Sequence, residues 1–156
     1  MLARPLAAAL AALLTLAPAP SRADEAPVVV TDPYARETPP NAKVGGVYMT
    51  LANRGPAIRL TGVRSDAARM AQIHVHEMDA SGVMRMRRVE DGIALDPDAT
   101  VRMEPGGLHI MLMGLEKPLR RGGTVDLALE FDDGSTVDVA VPVRSIAATR
   151  SGSHAH

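Results

Sequence analysis

Apolar and polar residues alternate in short segments along most of the chain after residue 27. The segment 125–129 has valine or leucine at every second position, with polar or small residues between them. The segment 137–141 repeats this pattern with three valines, and Asp132-Asp133-Gly134 stands between the two segments. Alternation with a period of two indicates a half-buried β-strand, and a short polar segment containing glycine is typical of a hairpin turn. We therefore expect a β-hairpin here.

The same pattern predicts short strands over nearly the whole region. Glu104-Pro105-Gly106-Gly107 has proline and glycine where a type II turn needs them, and residues 114–121 are expected to form a loop or a helical turn. No segment has the period of a long amphipathic helix. Many short strands separated by turns are typical of an all-β sandwich or Greek-key barrel. The strands are expected at about residues 27–31, 45–53, 57–64, 70–78, 82–89, 100–104, 107–113, 123–131 and 135–143.

The N-terminus has the features of a secretory signal. Arg4 precedes an apolar run from Leu6 to Leu16, and Ser21-Arg22-Ala23 offers a cleavage site between small residues. The apolar run is shorter than the ~20 residues that a membrane-spanning helix requires. We expect export to the periplasm without membrane insertion after signal removal. The predicted organisation is a signal peptide at 1–23, one β-sandwich domain at 24–143 and a flexible tail at 144–156.

Composition excludes several kinds of protein. Removal of residues 1–23 takes away Arg4 and Arg22 and no acid, so the formal net charge changes from −1 to −3. A net charge this close to zero gives no reason to expect nucleic acid or a membrane surface as a partner. The chain has no cysteine, which excludes disulfides and thiolate metal sites. It has nine methionines and three aromatic residues, so methionine either fills the core or has a function.

Histidine and methionine share one face on each of three neighbouring predicted strands. Side chains at positions i and i+2 of a strand point the same way, with Cα atoms ~7 Å apart, so two of them can approach one ion. The short turn at 79–81 predicts that the first two strands form a hairpin in which the faces adjoin. The residues concerned are His74, His76 and Met78 on the first strand, Met84 and Met86 on the second, and His109, Met111 and Met113 on the third.

These donor types select a soft metal ion. Thioether sulfur and imidazole nitrogen together suit Cu(I), whereas Ca²⁺ and Mg²⁺ prefer oxygen and zinc sites rarely use methionine. Thioethers carry no proton, so only the histidines compete with protonation. Each signal alone has a simpler explanation, because Met84 and Met86 could pack in the core and His74 could be solvated. Their coincidence on three segments favours a copper site.

Several motifs resemble the periplasmic copper chaperone family called PCuAC. They are Pro33-Tyr34-Ala35-Arg36, the segment from Gly45 to Gly55, His76-Glu77-Met78, the segment from Gly82 to Arg87, and the segment from Pro105 to Leu115. Together they cover about residues 27–142. The ordered set is far more specific than any one motif.

The resemblance implies a cupredoxin-like Greek-key β-sandwich that binds Cu(I) through a His, a Met and a His-x-Met pair. Here the implied ligands are His76, Met86, His109 and Met111. The family motif usually has ten residues between its first His and Met, whereas nine lie between His76 and Met86 here, and 22 lie between Met86 and His109. Met84 therefore stays open as an alternative to Met86.

The implied role is delivery of copper to respiratory oxidases, chiefly the copper A site of cytochrome c oxidase. The expected partners are the copper-accepting oxidase subunit or a Sco-type protein, and the protein is expected to be a monomer. His154 and His156 in the tail could add a Cu(II) site or could be an ordinary solvated terminus.

The sequence offers little support for other functions. No serine lies in a Gly-x-Ser-x-Gly setting and no cysteine is present, so an enzyme is not expected. A blue-copper electron carrier needs a cysteine thiolate and is nearly excluded. Copper buffering for tolerance, and a structural β-sandwich whose methionines only fill space, are the alternatives that stay open.

Overall fold

The computed structural model describes residues 27–145, which form ten β-strands and no helix. No helix able to cross a membrane therefore occurs in this part of the chain. The expected all-β class is confirmed. The strands are β1 (Val28–Arg36), β2 (Val44–Asn53), β3 (Ile58–Arg64), β4 (Ala68–Met78), β5 (Met84–Arg88), β6 (Ile93–Leu95), β7 (Thr100–Arg102), β8 (His109–Leu115), β9 (Thr124–Phe131) and β10 (Thr136–Arg144).

The strands follow one hydrogen-bonded path in the order β5-β4-β8-β2-β1-β10-β9-β3-β6, and β7 pairs with β2 away from this path. Among the described strands, the paired neighbours are antiparallel except β1 and β10, which run parallel through Ala35↔Val143 and Arg36↔Arg144. Strand β5 lies at one end of the path and has its outer edge unpaired.

Alternation along the strands produces the core. In β9, Val125, Leu127 and Leu129 are buried while the intervening residues are more exposed. Strands β2 and β8 contribute further buried residues, and the buried apolar residues form one continuous cluster. The largest fully buried side chains include Met49, Leu51, Leu60, Leu95, Ile110, Leu112 and Leu129.

One polar side chain is fully buried within this core. The Nδ2 of Asn53 donates to the carbonyl oxygens of Pro56 at 2.8 Å and Leu95 at 2.9 Å, and its Oδ1 accepts from the N–H of Gly55 at 3.0 Å. A buried amide is tolerated because its donors and acceptor are satisfied. Asn53 therefore ties the end of β2 to the end of β6.

Two strands differ from the sequence-based prediction. Strand β1 extends beyond residue 31 because a register shift between Thr31 and Tyr34 lets the chain resume pairing after Pro33, with Asp32 at a positive φ of 47°. Strand β6 was not predicted, since three residues are too few to show alternation. Residues 116–121 form a loop without a helical turn. The predicted signal peptide and residues 146–156 of the predicted tail lie outside the described residues.

Candidate metal site on the outer face of the sheet

Strands β4, β5 and β8 carry histidine and methionine on the side of the sheet that faces away from the core. Ile73, Ile110 and Leu112 point into the core, so the residues between them point outward. We call this surface the outer face. It consists of Met70, Gln72, His74, His76 and Met78 on β4, Met84, Met86 and Arg88 on β5, and His109, Met111 and Met113 on β8.

The register of the β4–β5 hairpin places His76 directly opposite Met86, and Met78 opposite Met84. The N–H of Asp79 donates to Val83 O, and the N–H of Val89 donates to Ile73 O, each at 2.9 Å. Hydrogen-bonded and non-hydrogen-bonded pairs alternate along antiparallel strands. Both outer-face pairs therefore belong to the non-hydrogen-bonded class, in which the two side chains lie closest together.

The hairpin turn is held by one carboxylate. Oδ1 of Asp79 accepts hydrogen bonds from the Ser81 N–H at 2.9 Å, the Ser81 hydroxyl at 2.5 Å and the Val83 N–H at 3.0 Å. Its Oδ2 accepts from Arg85 Nε at 2.6 Å. These bonds, the Ser81 hydroxyl first and Arg85 next, lower the pKa of Asp79 to about 2. The turn thus fixes which residues of β4 and β5 face each other.

Three imidazoles lie side by side next to this hairpin. The rings of His76 and His109 stack with centroids 5.0 Å apart and planes 24° apart. His74 lies directly opposite His109 in the β4–β8 register, with ring centroids 6.0 Å apart. Neighbouring rings cover His109, which is only 3% exposed although it is on the outer face.

A backbone carbonyl orients His109. Its Nδ1 lies 3.0 Å from Gly107 O, and because a carbonyl only accepts, Nδ1 carries the proton and Nε2 keeps its lone pair. The same carbonyl accepts from the backbone N–H of His76 at 3.3 Å. Gly107 ends the predicted turn, whose Gly106 has a φ of 86° and whose Gly107 N–H donates to Glu104 O at 3.0 Å. Such a bond fixes the tautomer of a metal-binding histidine.

His74 is oriented by a side chain. Nε2 of Gln72 donates to the sulfur of Met70 at 2.9 Å, so the amide oxygen of Gln72 faces His74 and accepts from its Nε2 at 3.1 Å. Nδ1 of His74 and Nδ1 of His76 are buried and have no hydrogen-bond partner among the described residues. A buried nitrogen without a partner is costly, and a bound metal ion is one group that could supply the missing interaction.

Burial also controls the charge of the histidines. It is the largest cause of the lowered pKa of His109, which the hydrogen bond to Gly107 partly offsets. The pKa of His74 is lowered by burial first, and then by His109, Arg88 and His76. A lowered pKa keeps both rings neutral at neutral pH, which is the form that binds metals.

Met111 occupies a different row of the outer face. It lies two residues beyond His109 on β8, opposite Gln72 on β4 and Gly46 on β2. The structure therefore brings His76, Met86 and His109 together, and places Met111 beside His109 on the side away from His76. Met86 is 45% exposed at the edge of the sheet, and Met111 is half-buried.

Sequence reasoning missed an aromatic boundary beside the histidines. The ring of Tyr48 lies 6.3 Å from that of His109 and 5.1 Å from that of Tyr34, and Arg36 lies over its face at 5.5 Å. A Cβ at Gly46 would lie 2.8 Å from the Tyr48 hydroxyl oxygen, which is too close for an ordinary contact. The sequence Gly46-Val47-Tyr48 is the signal, since glycine and tyrosine two residues apart share one face of a strand.

The donor set of the outer face combines nitrogen and sulfur. Within residues 27–145, no group of three or more His, Cys, Asp or Glu side chains is arranged to hold a metal ion. A site on this surface therefore needs the thioethers as well as the imidazoles. Such a mixture suits a soft ion such as Cu(I) better than a hard one.

Comparison with known proteins identifies the family. Residues 28–143 match the profile of the family described as "LpqE-like: Putative lipoprotein LpqE-like". The chain belongs to this family, the family of PCuAC domains. The resemblance noted from the motifs is thereby confirmed.

Two relatives by sequence extend the comparison. The chain is 40% identical over 109 residues to "Putative lipoprotein Lxx21020" of Leifsonia xyli subsp. xyli, covering 65% of this chain and 64% of that protein. It is 31% identical over 124 residues to "Uncharacterized protein RP573" of Rickettsia prowazekii, covering 76% and 67%. The chain thus spans slightly less than two thirds of the Leifsonia protein.

Solved structures share the fold. The copper-bound PCuAC domain from PmoF2 superposes with a TM-score of 0.64 at 27% identity, covering 78% of this chain and 95% of that domain. The solution structure of CuI-DR1885 from Deinococcus radiodurans gives a TM-score of 0.60 at 29% identity, covering 80% and 83%. The cupredoxin-like β-barrel expected for this PCuAC protein is confirmed.

Proposed function

We propose that this PCuAC protein is an exported copper carrier that binds one Cu(I) ion through His76, Met86, His109 and Met111. The observation that carries the proposal is the stacked pair of His76 and His109, with Met86 in register opposite His76. Met111 completes the set as the second member of a His-x-Met pair on β8. The copper-bound PmoF2 domain and CuI-DR1885 support the choice of metal.

The position of the ligands suits exchange. Met86 lies on the edge strand β5, all of whose residues are exposed, whereas His109 is buried behind neighbouring rings. The exposed thioether can dissociate first while the imidazoles hold the ion. An acceptor can then occupy the released position before the remaining bonds break, so copper never becomes free in solution.

The destination of the ion extends the proposal. The carrier delivers copper for assembly of respiratory oxidases, chiefly the copper A site of cytochrome c oxidase, with the oxidase subunit or a Sco-type protein as acceptor. The word lipoprotein in the names of the family and of the Leifsonia relative supports export, and the periplasm is the proposed compartment. The protein acts as a binding protein and not as an enzyme.

Two experiments test the proposal at different levels. Purified apo-protein should take up one equivalent of Cu(I) in competition with a Cu(I) chelator, and the His109→Ala variant should not. Cells lacking the protein should lose cytochrome c oxidase activity under copper limitation and regain it with added copper. Normal oxidase activity combined with copper sensitivity would indicate buffering instead of delivery.

A further inference from the structure

Methionine dominates the apolar surface at the exposed edge of the sheet. Of seven exposed large apolar side chains within the described residues, four are methionines, and all four lie on the outer face: Met70, Met78, Met84 and Met86. Met78 is 68% exposed and Met84 is 51% exposed. Neither residue contributes to the core, so packing does not explain them.

The two most exposed methionines face each other. Met78 and Met84 form the last cross-strand pair before the turn, and they belong to the non-hydrogen-bonded class in which side chains approach most closely. Met70, by contrast, lies at the other end of β4, where its sulfur accepts a hydrogen bond from Gln72. The Met78–Met84 pair thus presents two thioethers to solvent.

The pair lies next to the ligands of the proposed site. Met78 is two residues from His76 on β4, and Met84 is two residues from Met86 on β5. The Cα atom of each therefore lies ~7 Å along its strand from that of the proposed ligand. The hydrogen bonds of Asp79 hold the turn immediately beyond it. An ion bound between Met78 and Met84 would therefore lie between the hairpin tip and the His76–Met86 pair.

We propose that Met78 and Met84 form a second Cu(I) site of two thioethers, through which copper enters and leaves the four-ligand site. This transit role rests on the proposed function, because it requires the four-ligand site as the place to which copper moves next. Two neutral sulfur donors bind Cu(I) more weakly than four ligands do, which suits a transit position. Transfer exchanges Cu–S bonds at Met78 and Met84 for bonds to Met86 and the histidines, and no electron is transferred.

The test uses the full exported chain with 13C-labelled methionine methyl groups, titrated anaerobically with Cu(I). The first equivalent should shift the methyl resonances of Met86 and Met111, and further Cu(I) should shift those of Met78 and Met84. The double variant Met78→Leu/Met84→Leu should keep the first set of shifts and lose the second. It should also release Cu(I) to a chelator more slowly, whereas the control Met70→Leu should behave as wild type.

The outcomes separate this inference from the proposed function. Unchanged Met78 and Met84 resonances, or wild-type release rates in the double variant, would overturn the second site while leaving the four-ligand site intact. Shifts at Met78 and Met84 without any at Met86 or Met111 would support the two-thioether site. The same result would overturn the four-ligand assignment of the proposed function.

Discussion

The imidazole rings of His76 and His109 stack 5.0 Å apart although the residues come from different strands. One carbonyl links them, because Gly107 O accepts from the backbone N–H of His76 and from Nδ1 of His109. The strand pairing and the orientation of the ring therefore depend on the same atom. This arrangement brings two nitrogen donors together before any ion binds, which lowers the ordering cost of binding.

The His-x-Met pair gives the first prediction. His109→Ala and Met111→Ala should each lower Cu(I) affinity by more than ~100-fold, since loss of an outer-shell partner alone costs 10–100-fold. Competition with a Cu(I) chelator measures the affinity, and circular dichroism checks the fold. Met113→Ala is the matched control, because Met113 lies on the same face of β8 and is not among the proposed ligands. Normal competition by both His109 and Met111 variants would refute the ligand assignment.

The register of the hairpin gives the second prediction. Met86→Leu should weaken Cu(I) binding at equilibrium more than Met84→Leu, because Met86 lies opposite His76 whereas Met84 lies opposite Met78. Leucine has a similar volume and no sulfur, so the pair of variants isolates the donor atom. The same chelator competition measures both. Equal losses would mean that the register does not select the ligand.

The contact between Gly46 and Tyr48 gives the third prediction. A methyl group at Gly46 would lie 2.8 Å from the Tyr48 hydroxyl oxygen, so Gly46→Ala should force the ring to move and cost about 1–3 kcal/mol of unfolding free energy. Tyr48→Phe in the same chain removes that oxygen and should restore part of the loss. Urea denaturation of the single and double variants measures the coupling.

Gly107→Ala is the control for the effect of alanine itself, since its Cβ would come no closer than 3.6 Å to Glu104. Independent, additive effects of Gly46→Ala and Tyr48→Phe would contradict the proposed contact.

Burial of two histidines predicts that the stability of the apo-protein depends on pH. The pKa values of His74 and His109 in the folded apo-protein lie below the ordinary value of 6.5, chiefly because of burial. The unfolded chain therefore binds protons more readily at mildly acidic pH. Apo-protein stability should hold above about pH 7 and fall as the pH drops through 6.5 towards the lowered values.

The urea midpoint at about pH 7.5 and pH 5.5 measures this dependence. The variant His74→Gln/His109→Gln should have a smaller decrease than wild type. Asp79, whose pKa is lowered to about 2, contributes only at much lower pH and does not account for a decrease in this range. An equal decrease in the variant would show that other groups cause it.

Much of the fold follows from local patterns. Strands such as β9 and β10 alternate strictly, and Gly134 marks the turn between them with a φ of 83°, so the hairpin could be predicted from sequence. The strand order β2-β1-β10 could not be predicted, because the parallel pairing of β1 with β10 joins strands that lie far apart in the sequence. Strand β6 depends on pairing with β3 and has too few residues to show a period.

The candidate site is likewise only partly predictable from the sequence. Alternation placed His109 and Met111 on one face, and the turn at residues 79–81 indicated the hairpin that carries Met86. The proposal of Met86 rather than Met84 as a ligand rests on the register, since a strand pattern alone does not define which residues oppose each other. The position of Tyr48 beside His109 depends on the pairing of β2 with β8, which no local pattern reveals.

X-ray absorption at the copper edge of the Cu(I)-loaded protein is the decisive test of the four-ligand site, because it counts the atoms bound to the ion. We expect copper to have two sulfur and two nitrogen neighbours, from Met86, Met111, His76 and His109. Loss of one sulfur neighbour in Met86→Leu would assign that residue. Copper bound by nitrogen and oxygen atoms alone would contradict the four-ligand assignment.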